Sequence, residues 1–224
     1  MVDSPELTER FVSLASMDNR AIVFYYRHVI VPIILKYLKK SDCLLDLGCA
    51  GGVLLTLLQE RGLTNLQGID AAQVLLDRIR DKSIPTVCDN YLNVKRHYRQ
   101  NQFDFAIVFN TLHHLDSKEE FYLFFENLHH ILKPGAIVMV KELYNGLFYK
   151  IYNAIIWSKI TNKLFPSVFA GRNFVQTSEI DMHSRFFKDF VGNIDDIMEA
   201  RGKFKVIKKY YPLTFERLIV MKAQ

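Results

Sequence analysis

Seven consecutive residues, Asp46-Leu47-Gly48-Cys49-Ala50-Gly51-Gly52, set a carboxylate beside a run of small side chains. The apolar run Cys43-Leu44-Leu45-Asp46-Leu47 before the glycines reads as a buried strand. The stretch after them, Val53 to Arg61, carries Leu54, Leu55, Leu57 and Leu58 at helical spacing. The glycines therefore occupy a strand-to-helix turn. Small residues there let a ligand approach the backbone, and the start of the helix offers unpaired N–H groups. A dinucleotide fingerprint, Gly-x-Gly-x-x-Gly, is not met: counted from Gly48, its positions hold Gly48, Ala50 and Val53. Asp46 would repel a pyrophosphate and suits a cationic amino-acid moiety, which disfavours an NAD-dependent oxidoreductase.

Other residues of chemical interest fall at the ends of further short apolar runs. Asp70 closes Leu66-Gln67-Gly68-Ile69-Asp70, and Asp89 with Asn90 follows Thr86-Val87-Cys88. Asn110 follows Phe105-Ala106-Ile107-Val108-Phe109, with His113 and His114 just beyond. A histidine with a pKa near neutrality can take a proton from a hydroxyl group, which makes His113 the candidate general base. Paired histidines at such a place also serve to orient a loop. Asp104 is expected to cap or solvate the start of its strand, and His129 and His130 to lie on a helix surface. No His, Cys or carboxylate spacing resembles a metal-ligand set, so no metal is expected.

The elements that must position these residues alternate. Residues 1–41 read as helices, with Ile22, Tyr26, Val29, Ile30, Ile33, Tyr37 and Leu38 at helical period and Pro32 ending one helix or opening the next. Ala72 to Arg80 reads as a helix. Asp116 followed by Glu119 suggests a capping box for another, buried through Phe121, Phe124, Phe125, Leu128, Ile131 and Leu132 and stopped at Leu132-Lys133-Pro134-Gly135. Ala136 to Val140 is the fifth strand. Strands alternating with helices over short loops predict an α/β fold, a doubly wound, Rossmann-like parallel sheet covered on both faces. Lys205 to Tyr211 and Glu216 to Lys222 leave no room for a crossover helix and should form an antiparallel hairpin, completing a seven-stranded sheet.

In order and spacing these pieces resemble the class I S-adenosylmethionine (SAM)-dependent methyltransferases over residues 42–142 and the terminal hairpin. Residues 46–52 look like the family's motif I, an acidic residue followed by Gly-x-Gly-x-Gly, with Ala50 in place of the middle glycine. Phe103 to Leu115 resembles its fourth-strand motif, and Leu132 to Gly135 the turn before its fifth strand. The resemblance implies SAM as cofactor, S-adenosylhomocysteine as product and no metal. It implies a cofactor site at Asp46, Gly48, Cys49, Ala50, Gly52, Asp70, Asp89, Asn90 and Asn110, with Asp70 on the ribose hydroxyls and Asp89 near the adenine amino group. His113 is the candidate catalytic residue.

The acceptor is less legible. The residues after strand four are Asn-Thr-Leu-His, not the Asn-Pro-Pro-Tyr of the amino-methylating enzymes, and the Pro-Cys pair of cytosine C5 enzymes is missing. An RNA 2′-O methyltransferase would need a Lys/Asp/Lys/Glu set, of which Lys141 alone is plausible. Residues 143–203 form an aromatic-rich insert, read as a helical lid. An aromatic lid favours a small hydrophobic, aromatic or lipid-like acceptor and excludes water. His114, Tyr144, Phe148 and Tyr152 are the candidate substrate contacts. The stretch 144–164, with Lys150, Lys159 and Lys163 among apolar residues, could touch a membrane surface. An RNA or protein methyltransferase, or a silent SAM-binding regulator, are the competing readings.

Composition agrees with one domain of 224 residues: half the residues are hydrophobic, enough for a large core. The net charge of +5 is spread along the chain rather than clustered, so nucleic acid is not the expected partner. Cys43, Cys49 and Cys88 give an odd count without metal spacing, and the first residues, MVDSPELTER, contain no apolar run. The longest apolar stretch, Val29 to Leu35, contains Pro32 and is too short to span a bilayer. A reduced, cytoplasmic protein is expected.

Overall fold

The computed structural model describes Val12 and residues 15–115, 117–143, 194, 201–212 and 216–224. Its strands are β1 (Leu44–Leu47), β2 (Leu66–Asp70), β3 (Thr86–Cys88), β4 (Phe103–Phe109), β5 (Leu132–Leu143), β6 (Phe204–Tyr210) and β7 (Glu216–Ala223). They form one seven-stranded sheet in the order β3-β2-β1-β4-β5-β7-β6. The first five are parallel, while β7 runs antiparallel to both β5 and β6. The doubly wound sheet with its terminal hairpin is therefore as the alternation of elements predicts. The chain order reverses between β1 and β4, and ligands of open α/β sheets bind at the carboxyl ends of the strands at such a switch point.

Helices cover both faces: α1 (Arg20–Tyr25), α2 (Val31–Ile34), α3 (Val53–Gln59), α4 (Gln73–Leu76), α5 (Val94–His97) and α6 (Lys118–Ile131). Alternation along the central strands sends Ala106 and Val108 of β4 to the α6 side, where Phe121, Phe124 and Phe125 pack. Phe105, Ile107 and Phe109 go to the α1 and α3 side. The same alternation distributes the polar residues at the strand ends. Asp46 follows the parity of Leu44, Lys141 that of Met139, and Glu216 that of Leu218, so all three fall on the α1 side. Glu142 follows Val140 to the opposite side.

Several boundaries differ from the sequence reading. Pro32 stands in the first turn of α2 and so opens that helix, as the sequence suggests, although no loop separates it from α1. A π-helical turn, Tyr26–Ile30, joins α1 to α2, and its widened ring accommodates a proline that has no N–H to donate. The cap of α6 is Ser117, whose side chain accepts from the Glu120 N–H at 3.1 Å, so the capping box lies one residue later than Asp116 and Glu119. The α-helical part of α4 is shorter than 72–80, because Arg78 and Ile79 bond back three residues instead of four. Strand β5 already pairs at Leu132 with Phe103 and resumes at Ile137 with Phe105, so Lys-Pro-Gly-Ala bulges out between them. Helix α5 was not expected. Among the described residues no helix is long and apolar enough to cross a membrane.

Candidate active site

The β1–α3 turn is shaped by left-handed backbone at three positions. Gly48, Ala50 and Gly52 have φ of 77°, 47° and 66°. Gly48 also faces the Thr111 hydroxyl so closely that a Cβ would collide with it. The Gly48 and Cys49 N–H groups donate to the Ile69 carbonyl at 2.8 and 3.2 Å, tying the turn to β2. Asp70 closes the assembly. Its Oδ2 accepts from the Ala50 N–H at 2.8 Å and its Oδ1 from the Ala72 N–H at 2.9 Å. A carboxylate has about four lone-pair sites, so each oxygen keeps capacity for a ligand hydroxyl.

Ala50 stands where the motif would place glycine, and its left-handed conformation costs a non-glycine residue roughly 1–2 kcal/mol. Glycine would remove that strain but add about 0.5–1 kcal/mol of chain entropy to the unfolded state. Ala50→Gly should therefore be mildly stabilising, raising the melting temperature by about 1–4 °C in calorimetry. A lowered melting temperature would show that the methyl group packs favourably enough to outweigh the strain.

Asp46 is the most unusual group of the turn. Its carboxylate is only 4% exposed and receives no hydrogen bond among the described residues. Burial, reinforced by the neighbouring negative charge of Asp70, pushes its pKa up to about 7. A buried acid in that state is stabilised by a cation arriving beside it. Cys49 is inert by contrast: its thiol packs under the β1 and β2 strands against Gly68, and burial pushes its pKa up.

The carboxyl end of β4 carries a second polar assembly. Asn110 has φ of 51° and its N–H donates to the Lys141 carbonyl at 2.7 Å. The Lys141 side chain is wholly buried, donating from Nζ to Glu216 Oε1 at 2.8 Å and Asn110 Oδ1 at 3.1 Å. The Tyr26 and Phe109 rings each lie 5.8 Å from its Nζ, and Tyr25 donates its hydroxyl to the other oxygen of Glu216. Burial alone would discharge such a lysine, but the Tyr26 hydroxyl, Glu216 and Glu142 around it push its pKa up. On the opposite side of the sheet, Glu142 Oε1 accepts from the Thr111 and Leu112 N–H groups at 2.8 and 2.7 Å. Its Oε2 lies 2.9 Å from His113 Nδ1. Burial pushes the Glu142 pKa up, but His113 and the two backbone donors outweigh it and hold the carboxyl below its usual range.

Part of each assembly borders one cavity of about 690 Å³ at the carboxyl edge of the sheet, which Lys141, Glu142 and Glu216 do not line. Asp46, Gly48, Cys49, Ala50, Asp70, Asn90, Asn110, His113 and His114 all line it. Two expected cofactor residues do not. Gly52 is the N-cap of α3, where a Cβ would strike Ile79, so its part is in packing the turn. Asp89 turns its carboxylate to His97 at 2.6 Å and Asn93 at 2.8 Å, and these two bonds bring its pKa down to about 2. It shapes the loop that presents Asn90. Tyr144, Phe148, Tyr152, most of the 143–203 insert and the 144–164 segment lie outside the described residues.

Other expectations resolve simply. Asp104 is bonded to the Cys43 N–H and paired with Lys133 at 2.8 Å, joining the starts of β1, β4 and β5 away from the cavity. His129 bonds the Gln224 carbonyl at 3.1 Å. Lys141, the one plausible member of an RNA-type lysine set, is sealed behind Asn110. Sequence reasoning missed Thr111, Glu142 and Glu216, and the N-terminal wall of Ala15, Asn19, Ile22 and Tyr26. A buried-parity count along β5 would have flagged Lys141 and Glu142 as charged residues directly after the apolar run Ile137 to Val140.

The cavity fits an adenosyl amino acid. It has a buried carboxylate for an ammonium, a carboxylate with open lone pairs at the β2 end for a ribose, and apolar Ala71, Ala72 and Leu75 beside Asn90 for a base. Residues 23–173 match the sequence model of a family described as a methyltransferase domain. The chain belongs to that family, and its fold is that of the SAM-dependent methyltransferases. Among solved structures it is similar to the PH0226 protein of Pyrococcus horikoshii, with 17% identity, a TM-score of 0.71, and coverage of 97% of this chain and 98% of the other. A SAM-dependent methyltransferase of Thermotoga maritima gives 16% identity and a TM-score of 0.64 over 98% and 99% of the two chains. A Haloferax volcanii methyltransferase, solved in complex with the Trm112 methyltransferase activator, gives 12% and 0.61 over 95% and 97%. No curated protein matches the chain.

Proposed function

We propose that the protein transfers a methyl group from SAM to an O, N or C atom of a small hydrophobic or aromatic acceptor. One observation carries this reading. The cavity that Asp46 and Asp70 line is also walled by Ile22, Tyr26, Phe109, His113 and His114, so it offers an apolar and aromatic surface besides its carboxylates. Bound SAM supplies an activated methyl group, so the protein has to bind, align and exclude water rather than form a covalent intermediate. Asp46 would hold the amino-acid ammonium, Asp70 the ribose hydroxyls, and Asn90 the edge of the adenine. Cys49 and Ala50 would contribute backbone to the same surface, and Asn110 would mark the boundary between donor and acceptor.

Titration calorimetry with S-adenosylhomocysteine tests the reading, and a co-crystal would display the ribose contact directly. Absence of binding at millimolar concentration would overturn it. Asp70→Ala should weaken binding by about 1.5–3 kcal/mol, the scale for losing charge-assisted hydrogen bonds. Part of that loss would come from release of the Ala50 N–H, so Asp70→Asn should lose less.

A further inference from the structure

Residues 201–224, the terminal hairpin and its approach, hold seven basic side chains and a single acidic one, Glu216. That is a net charge of +6, against +5 for the whole chain, so the preceding 200 residues are close to neutral. The charge is therefore not spread evenly, as the sequence reading has it, and strand register gathers part of the excess on one face. Lys205 pairs directly with Lys222, and Lys208 pairs with Val220 one rung further along. The three lysines thus share the face of Val220 and Leu218, the α1 side of the sheet. Directly opposed side chains have Cβ atoms about 5 Å apart, and like charges so placed repel. Lys36, just past α2, brings a fourth ammonium to 5.5 Å from the Tyr210 ring, which continues the same column of β6. All four lysines are exposed, and none pairs with a carboxylate among the described residues.

Lysines on an edge strand also serve to deter strand pairing. That accounts for Lys205 and Lys208 on β6, but not for Lys222 on the inner strand β7, nor for Lys36. Four clustered ammonium groups of this kind attract an external anionic surface. We infer that this face of the β6–β7 hairpin docks on the headgroups of an anionic membrane. Two features favour a lipid surface over nucleic acid. Ile207, which the β6 bulge leaves out of the ladder, and Tyr211, just past the strand, are 45% and 56% exposed. Side chains of these types among lysines suit the boundary between headgroups and acyl chains. The cluster itself is all lysine, a set of point charges that responds to charge density rather than to bidentate geometry. The hairpin's arginines, which would grip phosphodiesters and bases with a fork of donors, are engaged elsewhere. Arg217 is buried and Arg201 stacks 3.4 Å over the Tyr122 ring. Docking does not depend on the methyl-transfer reading; combined with it, docking places the enzyme where a lipid-like acceptor dissolves.

Sedimentation of the full chain with vesicles is the test. Wild type should pellet with phosphatidylcholine vesicles carrying about 30% phosphatidylserine, not with phosphatidylcholine alone, and should be released by about 0.5 M NaCl. Each lysine near an anionic surface contributes about fivefold, so the triple variant Lys205→Gln, Lys208→Gln, Lys222→Gln should lower partitioning about 100-fold. Lys95, Arg96 and Arg99, exposed on and just after α5, provide a control of equal charge. Their replacement by Gln should lower partitioning by no more than about fivefold. Calorimetry should give the same S-adenosylhomocysteine affinity for both variants as for wild type, which shows that they fold.

Equal losses in the two variants would overturn the proposal, as would equal pelleting with neutral and anionic vesicles. Failure to pellet with the anionic vesicles would overturn it too, and retention instead of a single-stranded RNA that the hairpin variant releases would assign the face to nucleic acid. Failure of wild type to bind S-adenosylhomocysteine would overturn the methyl-transfer reading alone. Should the triple variant not fold, Lys208→Glu, a change of two charges, carries an expected loss of about 25-fold.

Discussion

Asp46→Asn is expected to make the ligand-free protein more stable at pH 8 while weakening its grip on SAM. Unfolded, this carboxyl ionises near its ordinary value of 3.8; folded, it keeps its proton up to about pH 7. Between those values the unfolded state releases a proton that the native state retains, so stability falls as pH rises through the window. Above pH 7 the full cost is present, on the order of 4 kcal/mol before relaxation, and the asparagine variant does not carry it. Melting curves of the two proteins should therefore nearly coincide at pH 4 and diverge toward pH 8. Affinity should move the other way. Loss of a charge-assisted contact to the ligand ammonium corresponds to about 10- to 150-fold. In the wild type, affinity should also fall about tenfold for each pH unit below 7, because the site must first be ionised. Coincident melting curves at pH 8 would remove Asp46 from the role of a strained ligand.

The second large effect concerns the buried ammonium. Lys141→Met should destabilise the protein by about 3–5 kcal/mol, because Glu216 is left as an uncompensated carboxylate between β7 and α1. Most of that cost belongs to the orphaned charge and not to the lost attraction. The double variant Lys141→Met with Glu216→Gln should recover at least half of it, measured by urea unfolding at one pH. Failure of the second substitution to restore stability would mean that Lys141 is held chiefly by Asn110 and the two aromatic rings. Asn110 should keep its backbone conformation in either variant, since its N–H donates to the main-chain carbonyl of residue 141 and only the Oδ1 contact is lost.

What could be read from the chain were local quantities. The period of apolar residues gave the strands and the major helix, since burial on one or both faces imposes a repeat on the sequence itself. Left-handed turns need small residues, so the glycines announced the β1–α3 turn. Carboxylates at strand ends announced Asp46 and Asp70. The site's remaining parts depend on residues far apart in sequence. Glu142 meets Thr111, Leu112 and His113, and Lys141 meets Glu216 and stands under Tyr26. No local pattern encodes these meetings. They follow from which strands are neighbours and from strand alternation, which sends Lys141 to one face of the sheet and Glu142, its neighbour in the chain, to the other. Asp89 makes the same point in reverse: its position suits a ligand, but His97, one helix later, claims its carboxylate first. Side-chain partnership is decided by distance in space, and only the packed sheet sets that distance.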